Sequence, residues 1–193
     1  ATNDVCAEDT MFFTDLSVHN AGSMSSWLWD FGDGGTSNLQ HPSHLYSLNG
    51  VYNVTLTVTN SNDCVDDTTI TVEVFPLPVA NFTDTTTCNG YWAYFTDLSV
   101  ANAASIVSWN WDFGDGNSSS LQNPSHQYPS AGTYLVTLTV VNSNNCTNSI
   151  TIPVVVIPAP VAAFTSDTVC VLSPMQFIDL STTTNGIIDT WFW

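Results

Sequence analysis

"WLWDFGDGGTSNLQHPSHLY", residues 27–46, returns 82 residues later as "WNWDFGDGNSSSLQNPSHQY", residues 109–128. Each copy places aromatic residues at every second position (Trp27, Trp29 and Phe31; Trp109, Trp111 and Phe113) and follows them with Gly-Asp-Gly. Period-two aromatics followed by glycines describe a strand that ends in a tight turn. Gly32 and Gly34 free the backbone in that turn, and Asp33 is placed to bond nearby amides. A kinase-like reading of DFG fails on charge. Phosphoryl chemistry needs a lysine on the phosphates, and the 193 residues contain no Lys and no Arg. No Gly-x-Ser-x-Gly elbow occurs either. The stretch reads as fold, and the chain is expected not to be an enzyme.

The formal charge is −17, all of it from Asp and Glu. A surface without cations cannot neutralise phosphates, so nucleic acid and anionic membranes are poor partners. With 44% hydrophobic residues the chain can bury cores and is not a disordered tail. No apolar run is long enough to span a bilayer as a helix. "ATNDVCAEDT" at the start has neither the basic nor the apolar region of a signal peptide, so a mature protein or an internal piece is expected.

The 82-residue shift aligns the sequence with itself without a gap. "FTDLSV" (13–18) falls on 95–100, "VTLTV" (54–58) on 136–140, and Trp27 and Trp29 on Trp109 and Trp111, then on Trp191 and Trp193. A fixed period of this kind marks an array. Three segments follow: 1–77, a repeat without its first strand; 78–159, a complete repeat; and 160–193, a truncated one. The array is cut out of frame at both ends, so a segment of something longer, or a chain completed by a neighbouring molecule, is expected.

Within a repeat the alternation is that of strands. In "GVYNVTLTVTN" (50–60) Tyr52, Val54, Leu56 and Val58 share one face; in "TITVEV" (69–74) Ile70, Val72 and Val74 do. The fold expected is all-β: tandem sandwiches of about 80 residues, joined by short proline-containing linkers, "FPLPVANF" (75–82) and "IPAPVAAF" (157–164). Each sandwich should add roughly 30–40 Å to a rod of beads. Gly-x-Tyr at 50–52 and 132–134 is similar to a tyrosine corner, and Pro153 suits an edge strand.

The string "WDFGDG…NPSHxY…GxYxVTLTVTN" resembles the polycystic-kidney-disease (PKD) repeat, an immunoglobulin-like sandwich used mainly as a spacer, adhesion and display module on extracellular proteins. With "DTVCVLSPMQFIDLS" before the tryptophans and "NSNNC" after the long strand, it is similar to arrays in giant secreted proteins of the Bacteroidetes. Those often serve in gliding, adhesion or surface filaments. The resemblance implies an extracellular or cell-surface location.

It also implies a calcium question, since some PKD sandwiches bind calcium near one pole. Asp33 and Asp115, with Asn60 and Asn142, are the positions to examine; otherwise no cofactor is expected. DFGDGG is not an EF-hand loop, because the twelfth position from Asp30 is His41 rather than Glu. His41 and His44 are too few for a metal site, and Asn123 replaces the first in the second repeat. His44 and His126 read as turn residues.

Each full repeat holds two cysteines. Cys6 with Cys64 and Cys88 with Cys146 would each enclose 57 residues, leaving Cys170 for a partner near position 228. Such bonds point to an oxidising compartment and are worth up to ~4 kcal/mol by chain entropy. Bonds between neighbours, Cys64–Cys88 and Cys146–Cys170, are the alternative, and buried free thiols a third. Asn-x-Ser/Thr occurs at Asn53, Asn81, Asn117 and Asn145. "DTM", "DTT", "DTT" and "DTV" resemble the O-glycosylation signal of Bacteroidetes surface proteins, which implies glycans on Thr10, Thr68, Thr85 and Thr168.

Two functions remain. The first is a structural segment of a long surface protein, an adhesin stalk or filament, partnered by copies of itself or neighbouring repeats and by surface glycans. The second is an accessory spacer or polysaccharide-binding module of a secreted hydrolase, for which "GYWAYF" (90–95) offers an aromatic surface.

Overall fold

The computed structural model describes residues 5–18, 23–184 and 186–192, which form strands and turns with no helix among them. The first repeat contributes β1 (Val5–Cys6), β2 (Thr10–Phe12), β3 (Met24–Asp30), β4 (Thr36–Ser37), β5 (Ser43–Leu45), β6 (Gly50–Asn60) and β7 (Val65–Phe75). The second contributes β8 (Phe82–Asp84), β9 (Thr87–Cys88), β10 (Trp92–Asp97), β11 (Ile106–Asp112), β12 (Ser118–Ser119), β13 (Ser125–Gln127), β14 (Gly132–Asn142) and β15 (Thr147–Ile157). Two short strands follow, β16 (Phe164–Ser166) and β17 (Phe177–Asp179).

The repeats are built alike. A five-stranded sheet runs β1-β7-β6-β3-β4 in the first and β9-β15-β14-β11-β12 in the second. The opposing layer is β2-β5 in the first and β8-β10-β13 in the second. The layers meet because alternate residues are apolar: Met11, Phe13, Trp29, Phe31, Val54, Leu56, Val72 and Val74 are buried in the first repeat. Their counterparts 82 residues on, from Ala93 to Val156, are buried in the second. On the other face, Thr55 and Thr69 share a hydroxyl hydrogen bond across β6 and β7 at 2.8 Å, as Thr137 and Thr151 do.

Tyr52 donates to the carbonyl of Leu48 at 2.9 Å and Tyr134 to that of Ser130 at 2.8 Å, the geometry of a tyrosine corner. Beside β15 a second neighbour, β9, stands only at Val156 and Ile157, so Pro153 lies on an edge where no ladder donor is missed.

Ile70 shares the face of Val72 and Val74 as expected, opposite Val54 on β6, but is 41% exposed where those two are buried. In the second repeat Ala80 and Phe82, at and before β8, fill the space between the layers. The first repeat has no matching strand among its described residues. That space is an open groove of about 900 Å³ lined by Phe13, Trp29, Leu56, Val58 and Ile70.

The chain divides into two compact units: residues 1–79 with 100–107 and 140–148, and residues 80–99 with 108–139 and 149–193. One sheet end of the second repeat, at 140–148, therefore belongs to the first unit. Within that unit Cys6 is bonded to Cys146, with a Cα separation of 5.6 Å. Cys64, Cys88 and Cys170 are free thiols.

This corrects the expected bonding within repeats and the alternative between neighbours alike. Cys6 pairs with Phe75 on the last rung of β7, while Cys64 immediately precedes Val65 on its first. Eleven residues of strand span about 33 Å, and a disulfide reaches no more than about 7 Å between Cα atoms. Cys88, opposite Ile157, and Cys146, just before Thr147, are held apart by β15 in the same way. Cys146 cannot serve Cys170, because Cys6 has taken it.

Candidate functional site

The DFGDG turn closes β3 over the start of β6. Asp30 accepts from the amide of Gly32 at 2.9 Å, and Asp33 from the amide of Gly35 at 2.9 Å. Gly32 has φ of +79°, and a side chain there would meet the carbonyl oxygen of Asn53 at 2.6 Å, so only glycine fits. Gly114 repeats this with φ of +76° and Leu135 beneath it at 2.6 Å.

Asp33 also pairs with His44 (Oδ2 to Nε2, 2.8 Å), and Asp115 with His126 at 2.7 Å. Each imidazole lies flat on a phenylalanine ring: His44 on Phe31 at 4.1 Å and His126 on Phe113 at 4.3 Å. Tyr46 and Tyr128 donate to the carbonyls of Phe31 and Phe113, at 3.0 and 3.1 Å. Partial burial works to raise the Asp33 and Asp115 carboxyls. Their bonds from histidine and backbone amides outweigh it and hold both below the usual carboxylate range.

Within the first repeat, Asp33 and Asn60 stand too far apart to share one calcium. Asp33 lies past the Asp30 end of β3 and Asn60 stands opposite Met24 at its other end. Six residues of strand, roughly 20 Å, separate them, and ligands on one calcium lie within about 2.6 Å of it. Their oxygens are also engaged: Asn60 accepts from the amides of Asn62 and Cys64, and Asn142 from those of Asn144 and Cys146. His41 is parted from His44 in role. Its Nδ1 accepts from the amide of Asp15 at 3.1 Å, and Asn123 does the same for Asp97 at 2.9 Å. That shared task explains why asparagine replaces histidine there. Among the described residues no three His, Cys, Asp or Glu side chains gather as a metal site.

A network invisible to motif reading sits under the tryptophans. Asp15 Oδ2 accepts from the indole of Trp27 at 2.8 Å and from Gln40 at 3.1 Å, and Oδ1 from the amide of Ser17 at 2.8 Å. Asp97 repeats all three with Trp109, Gln122 and Ser99. The signal was present in the recurring "FTDLSV", but its partners lie 12 and 25 residues away.

What remains outward is an aromatic surface and a set of threonines. On β10 Ala93 and Phe95 are buried, while Trp92 and Tyr94 are 51% and 57% exposed on the other face. Across from them on β13 stand Gln127 and Ser125, both exposed. Two aromatic rings on alternate strand residues, rimmed by amide and hydroxyl, suit stacking against a flat ligand. The first repeat holds Thr10 and Phe12 in their places. Thr10, Thr68, Thr85 and Thr168 are all exposed.

A family model described as PKD domain matches residues 1–75 and 76–157. Over 143 residues, 72% of the chain, the sequence is 31% identical to the pre-pro-metalloprotease PrtV of Vibrio cholerae serotype O1, strain M66-2. It is 40% identical over 70 residues, 36% of the chain, to a microbial collagenase of Vibrio alginolyticus. The chain spans only 15% and 9% of those two proteins. Among solved structures, the PKD1 domain of Vibrio anguillarum Epp is 37% identical, with a TM-score of 0.41. That match covers 43% of this chain and 96% of that domain.

Proposed function

Because the chain belongs to the PKD-domain family, we propose that it is a non-catalytic segment of an extracellular protein and carries tension there, as part of a stalk or filament. The polar groups of its one motif-rich stretch are spent on holding turns. The observation that carries the reading is the bond between Cys6 and Cys146, 140 residues apart. A force applied to the chain ends crosses from one sulfur to the other and bypasses the residues between them. Such a bond also requires an oxidising compartment. Glycans on the four exposed threonines would add a neutral coat to a surface whose only charges are carboxylates.

Pulling single oxidised chains by their ends tests this. Extension should stop short by the length of the bypassed segment and grow by about 480 Å after reduction, at ~3.4 Å per residue. Smooth extension to full length without reductant, with no discrete rupture, would overturn it.

A second reading rests on Trp92 and Tyr94. As an accessory module of a secreted hydrolase, the repeat would hold polysaccharide on that aromatic face. Co-sedimentation with insoluble polysaccharide that is lost in W92A/Y94A, with melting unchanged, would favour it.

A further inference from the structure

The bonded cysteines and the free ones occupy the same two kinds of seat. Cys6 closes β1: the amide of Ala7 donates to Phe75, and that of Asp9 to the carbonyl of Cys6. Cys88 closes β9 identically, with Asn89 donating to Ile157 and Tyr91 to Cys88. At the other kind of seat, Cys146 donates its amide to Asn142 Oδ1 at 3.0 Å, its carbonyl accepts from the Asn142 amide, and Asn145 stands at φ of +62°. Cys64 has the same bond to Asn60 at 3.0 Å, the same return bond, and Asp63 at φ of +59°. The clearest difference between the seats is cover. Cys146 and Asn142 are wholly buried, whereas the thiol of Cys64 is exposed and that of Cys88 partly so. At the covered seat, Asn142 Nδ2 reaches the carbonyl of Pro76 and Asn102 Nδ2 that of Leu77.

We propose that Cys6–Cys146 is one link of a staggered ladder and that Cys64 and Cys88 are its open rungs, each set to bond a further repeat of this type. The rule read from the existing bond joins the first cysteine of one repeat to the second cysteine of another. Cys88 therefore takes a cysteine seated like Cys64, and Cys64 takes one seated like Cys88. Bond formation removes two protons and two electrons from the thiol pair. A low-molecular-weight disulfide accepts them and leaves as two thiols. The ladder goes beyond the tension-carrying reading and does not depend on it.

The test uses the full chain carrying C170S, so that Cys64 and Cys88 are the free thiols left. Isotopically heavy and light copies are mixed in a buffer of oxidised and reduced glutathione, and linkages are mapped by mass spectrometry without reduction. Cys64 of one copy bonded to Cys88 of another, in dimers and longer chains that grow with concentration, is the expected result. C64S/C170S and C88S/C170S should each stay monomeric alone and form dimers when mixed. Predominant Cys64–Cys64 or Cys88–Cys88 products, a Cys64–Cys88 bond within one copy, or no linkage would overturn it. In material from the native source, a Cys88 peptide joined to this chain's Cys64 peptide identifies a second copy as the partner. A joined peptide from outside this sequence identifies a repeat of a longer polypeptide, and a free Cys88 thiol overturns the ladder.

Discussion

The indole nitrogen of Trp27 donates to the carboxylate of Asp15 at 2.8 Å, and the same bond recurs at 2.7 Å between Trp109 and Asp97 and between Trp191 and Asp179. The third occurrence lies where, among the described residues, the only sheet is the β16–β17 pair. The pair is therefore a local feature of 12-residue span that does not wait for the rest of a sandwich. It ties the segment that ends in "FTD" or "FID" to the aromatic run that follows it.

Asp15 is buried and accepts from Trp27, Gln40 and Ser17. Asp15→Ala strands those donors and should cost about 2–3 kcal/mol, seen as a lower urea midpoint. Asp15→Asn keeps the size and one acceptor oxygen and should cost roughly half as much. Equal loss in both would mean that charge rather than bonding holds the pair.

The turn glycines differ from one another. Gly32→Ala places a methyl against the Asn53 carbonyl at positive φ and should destabilise the first repeat by ~2 kcal/mol or more. Gly34 also has positive φ, but nothing lies within 4 Å of its missing side chain. Gly34→Asn should therefore cost under about 1 kcal/mol. Thermal melts of the two variants side by side check the contrast.

Acid should act through a small set of carboxylates. Burial works to raise the carboxyls of Asp15 and Asp97, and hydrogen bonds from serine, glutamine and tryptophan overcome it and lower them from 3.8. A lowered folded value means that the unfolded chain takes up protons first. The stabilisation is present above about pH 4 and is lost as pH falls through the folded values. Denaturant midpoints should fall below pH 3.8, and D15N/D97N should show a shallower fall.

Reduction tests the long bond. Closing a loop of 140 residues stabilises by about 5 kcal/mol at most in chain-entropy terms. Dithiothreitol and C146S should lower the unfolding midpoint by the same amount, and C64S should not move it. A C64S protein that melts like C146S would place the bond elsewhere.

Much of this was legible beforehand. The inward faces of β3 and β6, both tyrosine corners and the turn at Gly32 follow from period-two alternation and from glycine at forced positions. Ile70 keeps the expected face but stays partly uncovered, because alternation assigns a face, not the neighbour that must cover it. The cysteine spacing of 58 suggests a loop to be closed, whereas the extended strand β7 holds Cys6 and Cys64 apart and the bond forms from Cys6 to Cys146. The run from Val65 to Phe75 was already a candidate strand. A straight strand between two cysteines is a ruler that keeps them apart. The Asp15 network went unseen because its partners come together only when the layers pack.

The bond from Cys6 to Cys146 has one more effect. A single peptide cleavage anywhere between them does not divide the molecule, since both fragments stay tied through sulfur. The chain offers trypsin no site, and other proteases must cut twice between Cys6 and Cys146, or find a reductant, before any of that stretch falls away. The segment behaves less like a string than like a cable with a second core, in which a nick is a local injury.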